Sequence, residues 1–219
     1  MIPIGDASRR PLHFPVMTLA IIATNAWVFF MELTSGNAFI NHWSLVPAHI
    51  VVGHDWVTIL TSMFLHAGWL HILGNMLFFW VFGAEIEDVM GSLTFLAFYL
   101  LGGVAASLAQ VMVDPQATIP NLGASGAIAA VMGAFLITYP RDRIRTILLL
   151  GWFFKITFLP AILMVGIWFL IQLFSEVGSL SQSQGAGGVA YMAHIGGFVF
   201  GVLFARLFES RRRRRQLGL

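Results

Sequence analysis

Six long apolar segments constrain this chain more than any other feature of its sequence. They cover residues 16–33, 71–83, 93–113, 125–139, 156–174 and 189–208, and their apolar character is typical of membrane helices. Only 10% of the residues are charged, against about 25% in a typical soluble domain. We therefore predict an all-α, polytopic membrane protein with a bundle of six transmembrane helices, of which the second and the fourth are short.

The basic residues predict the orientation of these helices, because cytoplasmic flanks are enriched in Lys and Arg. With six spans and a cytoplasmic N-terminus, every basic residue lies on the cytoplasmic side or at its boundary. The chain has twelve of them: Arg9, Arg10, Arg141, Arg143, Arg145, Lys155, Arg206 and Arg211 to Arg215. The final Arg run directly follows a membrane helix, so we interpret it as a topology anchor attracted to anionic lipid and not as a nucleic-acid site.

The remaining segments predict three regions along the chain. Residues 1–13 form a cytoplasmic head, residues 14–208 the membrane domain and residues 209–219 a basic cytoplasmic tail. Within the membrane domain, residues 84–92 and 140–155 are expected to be cytoplasmic loops.

Two external connections are also predicted. Residues 34–69 are rich in Trp and His, so we expect this first external loop to be partly embedded in the outer leaflet, with short helices near 47–53 and 56–65. Residues 175–188 are rich in Gly and Ser, which predicts a mobile external loop.

The fourth segment is too short to cross a bilayer. It begins with Gly-Ala-Ser-Gly at residues 123–126 and ends before Pro140, which leaves roughly 22 Å of helix against a hydrocarbon core of about 30 Å. Pro140 and the following Arg cluster fix its cytoplasmic end, so Ser125 is expected several ångströms below the outer surface. Non-helical backbone at that depth must be buried in protein or line a cavity. We therefore predict a hydrophilic cavity at Ser125.

Ser125 has two interpretations. Serine is a favoured N-cap residue, which requires no further function. However, the flanking Gly123 and Gly126 allow close backbone approach, and the free N–H groups of a first helical turn favour an oxyanion. A serine hydroxyl also needs an adjacent base to act as a nucleophile.

His194 in the sixth segment is the candidate base, because it is an ionisable residue at a similar depth. Contact between small residues of the fourth and sixth segments brings it within hydrogen-bond range of Ser125. Because no carboxylate is found at this depth, a Ser–His dyad is favoured over a triad. The small residues expected in the contact are Gly126, Ala129, Gly133, Gly196, Gly197 and Gly201.

His71 and Asn75 lie four residues apart, so they share one face of the second helix. Two polar groups in an apolar helix are equally consistent with a structural hydrogen bond between helices. Beside a nucleophilic serine they are natural oxyanion donors, together with the backbone N–H groups of Ala124 and Ser125.

Three motifs carry a family resemblance: HAGWLHILGN at residues 66–75, GASG at 123–126 and AHIGGFVFG at 193–201. In this order across six apolar segments, they resemble a bacterial-type rhomboid protease. The resemblance implies a Ser125/His194 dyad, an oxyanion site and a membrane-embedded first loop. It also implies a fifth helix that shifts to admit a substrate helix, and a structural role for His66.

Two positions depart from the family pattern. Trp56 is followed by Val57, where many relatives carry a Trp-Arg pair, so a loop-stabilising Arg is missing. Position 129 is Ala, where some relatives place a Tyr that stacks on the catalytic His. We expect His194 to be oriented instead by Tyr191 or by an aromatic residue of the second helix.

The resulting prediction is an intramembrane serine endopeptidase that cleaves transmembrane segments of membrane proteins near the outer face of a bacterial cytoplasmic membrane. The alternative is a catalytically silent rhomboid-like protein that binds membrane clients, which loss of either dyad residue would favour. A small transporter is disfavoured because the chain has no two-fold repeat. The oligomeric state is not predicted.

No cofactor or metal is expected. The chain has no Cys, which excludes disulfides and thiol catalysis. It also lacks the His-Glu-x-x-His motif of metalloproteases. His42, His49 and His54 leave a zinc site in the first loop formally open, but their spacing is not typical of metal ligands.

Overall fold

The computed structural model describes residues 2–150, 153–180, 191–216 and 218. In chain order the elements are β1 (Ile2–Asp6), α1 (Val16–Ser35), α2 (Asn37–Trp43), α3 (Pro47–Val51), α4 (Thr58–Thr61), a 3-10 turn (Ser62–Phe64), α5 (Trp69–Met90), α6 (Ser92–Val113), α7 (Ser125–Thr138), β2 (Arg143–Leu150), β3 (Phe153–Pro160), α8 (Ala161–Leu180), α9 (Tyr191–Phe208) and α10 (Arg211–Gln216).

The helices form the predicted polytopic bundle. Four of them, α1, α5, α6 and α9, are long and apolar enough to cross a membrane, while α7 and residues Ala161–Ile171 of α8 are shorter apolar helices. The short fourth segment is confirmed, since α7 has 14 residues. The chain is thus a multi-pass membrane protein.

The centre of the bundle is α7, in which every residue from Gly126 to Phe135 is buried. Small side chains let neighbouring helices approach it on several sides. Gly102 of α6, for example, lies so close to Ala130 that an added Cβ would be 2.5 Å from the Ala130 Cβ. At the far end of α7, Phe135 packs edge-on against Phe82 of α5 at 4.9 Å between ring centroids. The helix that carries Ser125 is therefore enclosed by the protein along most of its length.

The second segment is not short, contrary to the prediction, because α5 continues through residues 84–90 to Met90. Of the buried acidic residues there, Glu87 and Asp88 are hydrogen-bonded. Glu87 accepts the backbone N–H groups of Met17 and Thr18 at 2.9 and 2.7 Å. It thereby caps the start of α1, whose own N-cap residue Pro15 makes no side-chain cap bond. This charged stretch was predicted to be a loop, but it is helical. Its carboxylates accept hydrogen bonds from the segment that leads into α1 and from the start of α1 itself.

The N-terminal segment is bound to the same end of the bundle. Asp88 accepts the backbone N–H groups of Leu12 and His13 at 2.8 and 3.1 Å. Arg9 donates to Asp142 at 3.0 Å in a partly buried ion pair. The head therefore packs onto the membrane helices near the end of α7.

A three-stranded antiparallel sheet occupies residues that were predicted as a loop and as the start of the fifth helix. Its strand order is β1-β2-β3, and β2 and β3 form a hairpin in which Arg143 pairs with Pro160 and Leu150 with Phe153. The fifth helix begins at Ala161 instead of residue 156. Residues 153–159 are rich in aromatic and β-branched side chains, which suit a pleated surface as well as they suit a membrane helix.

The loop of residues 34–69, which was predicted to be external, folds over the start of α7. Leu45 and Asn121 exchange two backbone hydrogen bonds at 3.0 and 2.7 Å. The loop thereby joins the connection that leads into Ser125. Short helices are confirmed at both predicted places, as α3 and α4, whereas α2 was not predicted.

The Gly- and Ser-rich loop predicted at residues 175–188 begins later than expected, because α8 continues to Leu180. Its remaining part, residues 181–188, lies outside the described residues. The same holds for residues 189 and 190, where the sixth segment was predicted to begin.

Candidate active site

The turn before α7 positions Ser125. Gly123 has φ of +131°, a conformation that favours glycine, and its N–H donates to the carbonyl of Ser62 at 2.9 Å. Ala124 follows as the N-cap residue and Ser125 is the first residue of the helix. The serine therefore lies where the first-turn N–H groups have no partners within the helix.

His194 of α9 faces Ser125 directly. The distance between His194 Nε2 and Ser125 Oγ is 2.6 Å, which is hydrogen-bonding distance. The imidazole is 8% exposed. The structure thus brings together the two residues that the sequence predicts as nucleophile and base.

Backbone contact between α7 and α9 explains this proximity. A Cβ built on Gly197 would lie 2.0 Å from the carbonyl oxygen of Gly126, and one built on Gly201 would lie 2.0 Å from that of Ala130. Gly133 contacts the α9 backbone similarly. The predicted contact is therefore confirmed for Gly126, Gly133, Gly197 and Gly201. Gly196 instead lies against α6, where an added Cβ would be 2.3 Å from the Ala109 Cβ. Ala130, which was not predicted, also lies in the contact between α7 and α9.

Two aromatic rings flank the His194 imidazole. Trp168 of α8 lies 5.8 Å away between ring centroids at an interplanar angle of 42°, and Tyr191 lies 6.4 Å away at 83°. Tyr191 was one of the predicted candidates. Sequence reasoning missed Trp168, because a single Trp inside an apolar helix carries no spacing signal. The pair surrounds the imidazole although position 129 is Ala.

His71 lies against the turn that precedes Ser125. A Cβ on Gly123 would be 3.0 Å from His71 Nε2. On the opposite side of the ring, the backbone N–H of Ala67 donates to His71 Nδ1 at 3.3 Å. Because Nδ1 accepts this hydrogen bond, the neutral ring carries its proton on Nε2. His71 therefore directs an N–H donor toward the start of α7.

Asn75 follows His71 by one helical turn on the same face of α5. Its side chain is buried, and its Nδ2 amide group makes no hydrogen bond within the described part of the chain. Buried polar groups normally have a partner. Asn75 thus offers a donor that the fold itself does not use.

His66 supports the loop that leads into α5. Its ring is 1% exposed and contacts the His71 ring at 5.2 Å between centroids. Its backbone N–H donates to Glu32 of α1 at 2.9 Å. Burial, together with the nearby His71, lowers the pKa of His66 to about 4, so the ring is neutral at physiological pH. These contacts agree with a structural role.

A cavity of about 40 Å³ opens beside Ser125. It exceeds the roughly 10–15 Å³ that one water molecule needs. Gln110, which lines the cavity, also accepts the backbone N–H of Ala193 next to His194, at 3.3 Å. The cavity was predicted from the sequence, but its polar lining residues other than Ser125 were not. Ser107 and Gln110 could have been found, because polar residues inside an apolar helix indicate a lined cavity. The polar lining residues are Ser62, Ser107, Gln110, Asn121 and Ser125.

The histidines of the first loop do not gather around a common point. His49 Nδ1 lies 3.0 Å from Asp55 Oδ2. Among the described residues, no group of three or more His, Asp or Glu side chains is placed to hold a metal ion.

The fold and the site define a polytopic helical membrane protein with a serine–histidine pair enclosed between its helices. The Rhomboid domain family model matches residues 53–211, which is more than half of the chain. The chain belongs to the rhomboid family. This membership confirms the family resemblance of the three motifs and supports an intramembrane protease.

Curated relatives extend this comparison. Rhomboid protein 1, mitochondrial, of Saccharomyces cerevisiae is 28% identical over 79% of this chain and 50% of its own length. Rhomboid protease GluP of Bacillus subtilis is 33% identical over 61% of this chain and 27% of its own length. The mouse presenilin-associated rhomboid-like protein, mitochondrial, is 29% identical over 84% of this chain and 46% of its own length. The chain thus spans half or less of the length of each of these relatives.

Proposed function

We propose that this chain is an intramembrane serine endopeptidase with Ser125 as nucleophile and His194 as general base. The proposal is supported mainly by the 2.6 Å distance between Ser125 Oγ and His194 Nε2 inside a helical bundle. A weakly nucleophilic hydroxyl paired with an enclosed imidazole suits acyl transfer.

In the first half of the reaction, Ser125 Oγ attacks the carbonyl carbon of the scissile peptide bond while His194 Nε2 takes the hydroxyl proton. The carbonyl oxygen becomes an oxyanion. We assign its stabilisation to His71 Nε2–H, Asn75 Nδ2–H and the backbone N–H groups of Ala124 and Ser125. The C–N bond then breaks, and His194 returns the proton to the leaving amine.

In the second half, water hydrolyses the acyl-enzyme. The cavity beside Ser125 is large enough for water and has a polar lining. His194 takes a proton from the attacking water and passes it to Ser125 Oγ as the second oxyanion collapses, which releases the carboxylic acid and regenerates the Ser125 hydroxyl. The chain then needs no metal or cofactor for the reaction.

The substrate class follows from the enclosure of the site. A helical peptide bond is shielded by its own hydrogen bonds, so the substrate segment must unwind before it reaches Ser125. We propose transmembrane segments with Gly, Pro or polar residues near the membrane surface as substrates. GluP is a rhomboid protease by name, which supports this activity.

We also propose that cleavage occurs near the outer face, with both termini in the cytoplasm. Ser125 is at one end of α7, and the opposite end leads into Arg141, Arg143 and Arg145. Arg-rich flanks favour the cytoplasmic side. The cytoplasmic membrane of a bacterium stays a prediction, since two of the relatives are named as mitochondrial.

Cleavage of a model membrane substrate in reconstituted vesicles tests the proposal. Wild-type protein should release product, whereas Ser125→Ala should lose activity and keep the thermal unfolding temperature of the wild type. Ser107→Ala, which changes another serine at the same cavity, should still cleave. Cleavage by purified Ser125→Ala contradicts the assignment. Binding of uncut substrate by the wild type would favour the client-binding alternative instead.

A further inference from the structure

The hairpin of β2 and β3 presents an apolar outer face that no described element covers. Phe154, Ile156 and Phe158 alternate along β3, so they point to the same side of the sheet. They are 72%, 51% and 50% exposed. Large apolar side chains clustered in this way mark an interaction surface.

Positive charges surround this apolar face. Arg145 pairs with Phe158 across the hairpin, and its guanidinium lies 6.0 Å from the Phe158 ring centroid. Arg143, two residues before Arg145 on β2, is exposed on the same side of the sheet. Aromatic residues next to basic ones are typical of segments that lie in the interface of an anionic membrane.

The opposite face of the hairpin is fixed to the protein. Ile144 and Thr146 of β2 are fully buried. The Thr146 hydroxyl contacts Met164 Sδ of α8 at 3.7 Å, and β1 pairs along the other edge of β2. The outer face is therefore held in one orientation relative to α8.

The exposed apolar surface continues from the hairpin into a membrane helix. β3 ends at Pro160 and α8 begins at Ala161 without a connecting loop. The first turns of α8 expose Ile162, Leu163 and Ile167, as expected of a helix that faces lipid. The uncovered face is thus continuous with the lipid-facing surface of the bundle, at the end of α7 opposite Ser125.

We propose that the outer face of the hairpin is inserted into the interfacial layer of an anionic membrane leaflet. Phe154, Ile156 and Phe158 lie at the boundary with the acyl chains. Arg143 and Arg145, which lie on the same side of the sheet as Phe158, contact the lipid phosphates. The hairpin thereby anchors the beginning of α8 to the lipid surface, whether or not the chain is a protease.

A fluorescent probe at position 154 tests this placement. The natural chain has no cysteine, so Phe154→Cys gives a single labelling site for an environment-sensitive dye in the full chain. The protein is reconstituted in vesicles of phosphatidylcholine mixed with phosphatidylglycerol. Quenching is measured with nitroxide-labelled lipid and with aqueous iodide. Ile156→Cys gives an independent position on the same face.

Two control positions define the scale. Ile167→Cys on α8 reports a lipid-facing site. Gln216→Cys on α10 reports a water-exposed site when it is measured in vesicles of phosphatidylcholine alone, where the neighbouring Arg run has no anionic lipid to bind. We expect the probe at position 154 to be shifted to the blue relative to position 216. Its quenching by nitroxide lipid should approach that at position 167, with protection from iodide.

The basic residues are tested with the same probe. Vesicles of phosphatidylcholine alone should reduce lipid quenching at position 154, and the double variant Arg143→Gln and Arg145→Gln should lose the dependence on phosphatidylglycerol. Iodide quenching at position 154 equal to that at 216 would place the hairpin in water and overturn the proposal. Protection that disappears when the protein is diluted in lipid would overturn it too, because a second copy would then cover the face.

Discussion

Gly201 of α9 lies against the carbonyl oxygen of Ala130 in α7, and an added Cβ at Gly201 would be 2.0 Å from that oxygen. Real Cβ atoms do not approach an oxygen so closely, so any larger side chain at 201 forces the two helices apart. The same helices carry Ser125 and His194. Their reactive groups are 2.6 Å apart, and this distance depends on the backbone contact.

We predict that Gly201→Ala lowers stability and activity together. Overpacking costs about 1–3 kcal/mol, and a helix displacement of even 1 Å breaks the Ser–His hydrogen bond, so cleavage should fall at least about tenfold. Thermal unfolding and cleavage rates provide the measurement. Gly166→Ala in α8 is the control, since a Cβ there meets nothing within 4 Å. Unchanged activity in Gly201→Ala would mean that the helix contact does not position the pair.

The oxyanion assignment predicts a loss in kcat with little change in KM. Removing one such donor typically costs about 10²–10³ in kcat, and we expect losses of this order for Asn75→Ala and His71→Ala. Steady-state cleavage kinetics separate the two constants. Leu73→Ala on the exposed side of the same helix should stay within about twofold of the wild type. A rise in KM alone would assign these residues to substrate binding.

Trp168 is predicted to position the His194 imidazole through ring contact. Trp168→Leu should reduce kcat by roughly tenfold, about 1.4 kcal/mol of barrier, whereas Trp168→Phe keeps an aromatic ring and should retain most activity. Trp27→Leu, at an exposed position of α1, controls for the general loss of a Trp. Equal kinetics for Trp168→Leu and Trp168→Phe would exclude a role for the aromatic ring.

We predict that acid destabilises the loop of residues 34–69, because it contains the buried His66. Its pKa is lowered from 6.5 to about 4 by burial, so the folded state disfavours the protonated ring. Its contribution to stability is complete above pH 6.5 and is lost as the pH falls toward 4, by at most roughly 3 kcal/mol.

Unfolding temperature between pH 7 and pH 4 measures this effect. His66→Gln should be less stable than the wild type at pH 7 and should show a smaller decrease on acidification. His42→Gln, at an exposed position of the same loop, should follow the wild type. A wild-type pH dependence that survives in His66→Gln would assign the effect to other groups.

The geometry of the candidate site was predictable because the proposed chemistry needs particular residues at particular places in the chain. Gly123 is required by a positive φ, Gly197 and Gly201 by backbone contact, and Ser125 and His194 stand out as polar groups in apolar helices. Trp168 could not be found in this way, because an aromatic residue in a membrane helix is unremarkable until its neighbour is known.

The half of the fold at the end of α7 opposite Ser125 was harder to predict than the site. The length of α5 depends on Glu87 and Asp88, whose partners lie about 70 residues away in the chain. No local pattern shows that such carboxylates are satisfied. The hairpin was mistaken for a loop and the start of a helix, because apolar strands and apolar helices differ little in composition. Both regions contain hydrogen bonds between residues that are far apart in the chain: those of Glu87 and Asp88, and those that pair β1 with β2.

Labelling of the detergent-solubilised protein with a fluorophosphonate, followed by mass spectrometry of the adduct, tests directly whether Ser125 is an activated nucleophile. Activation of Ser125 by His194 predicts one adduct, on Ser125, that is lost in His194→Ala, while Tyr191→Phe is still labelled. An adduct on another serine, or labelling of Ser125 that is unchanged in His194→Ala, would contradict a reactive serine–histidine pair in this membrane protein.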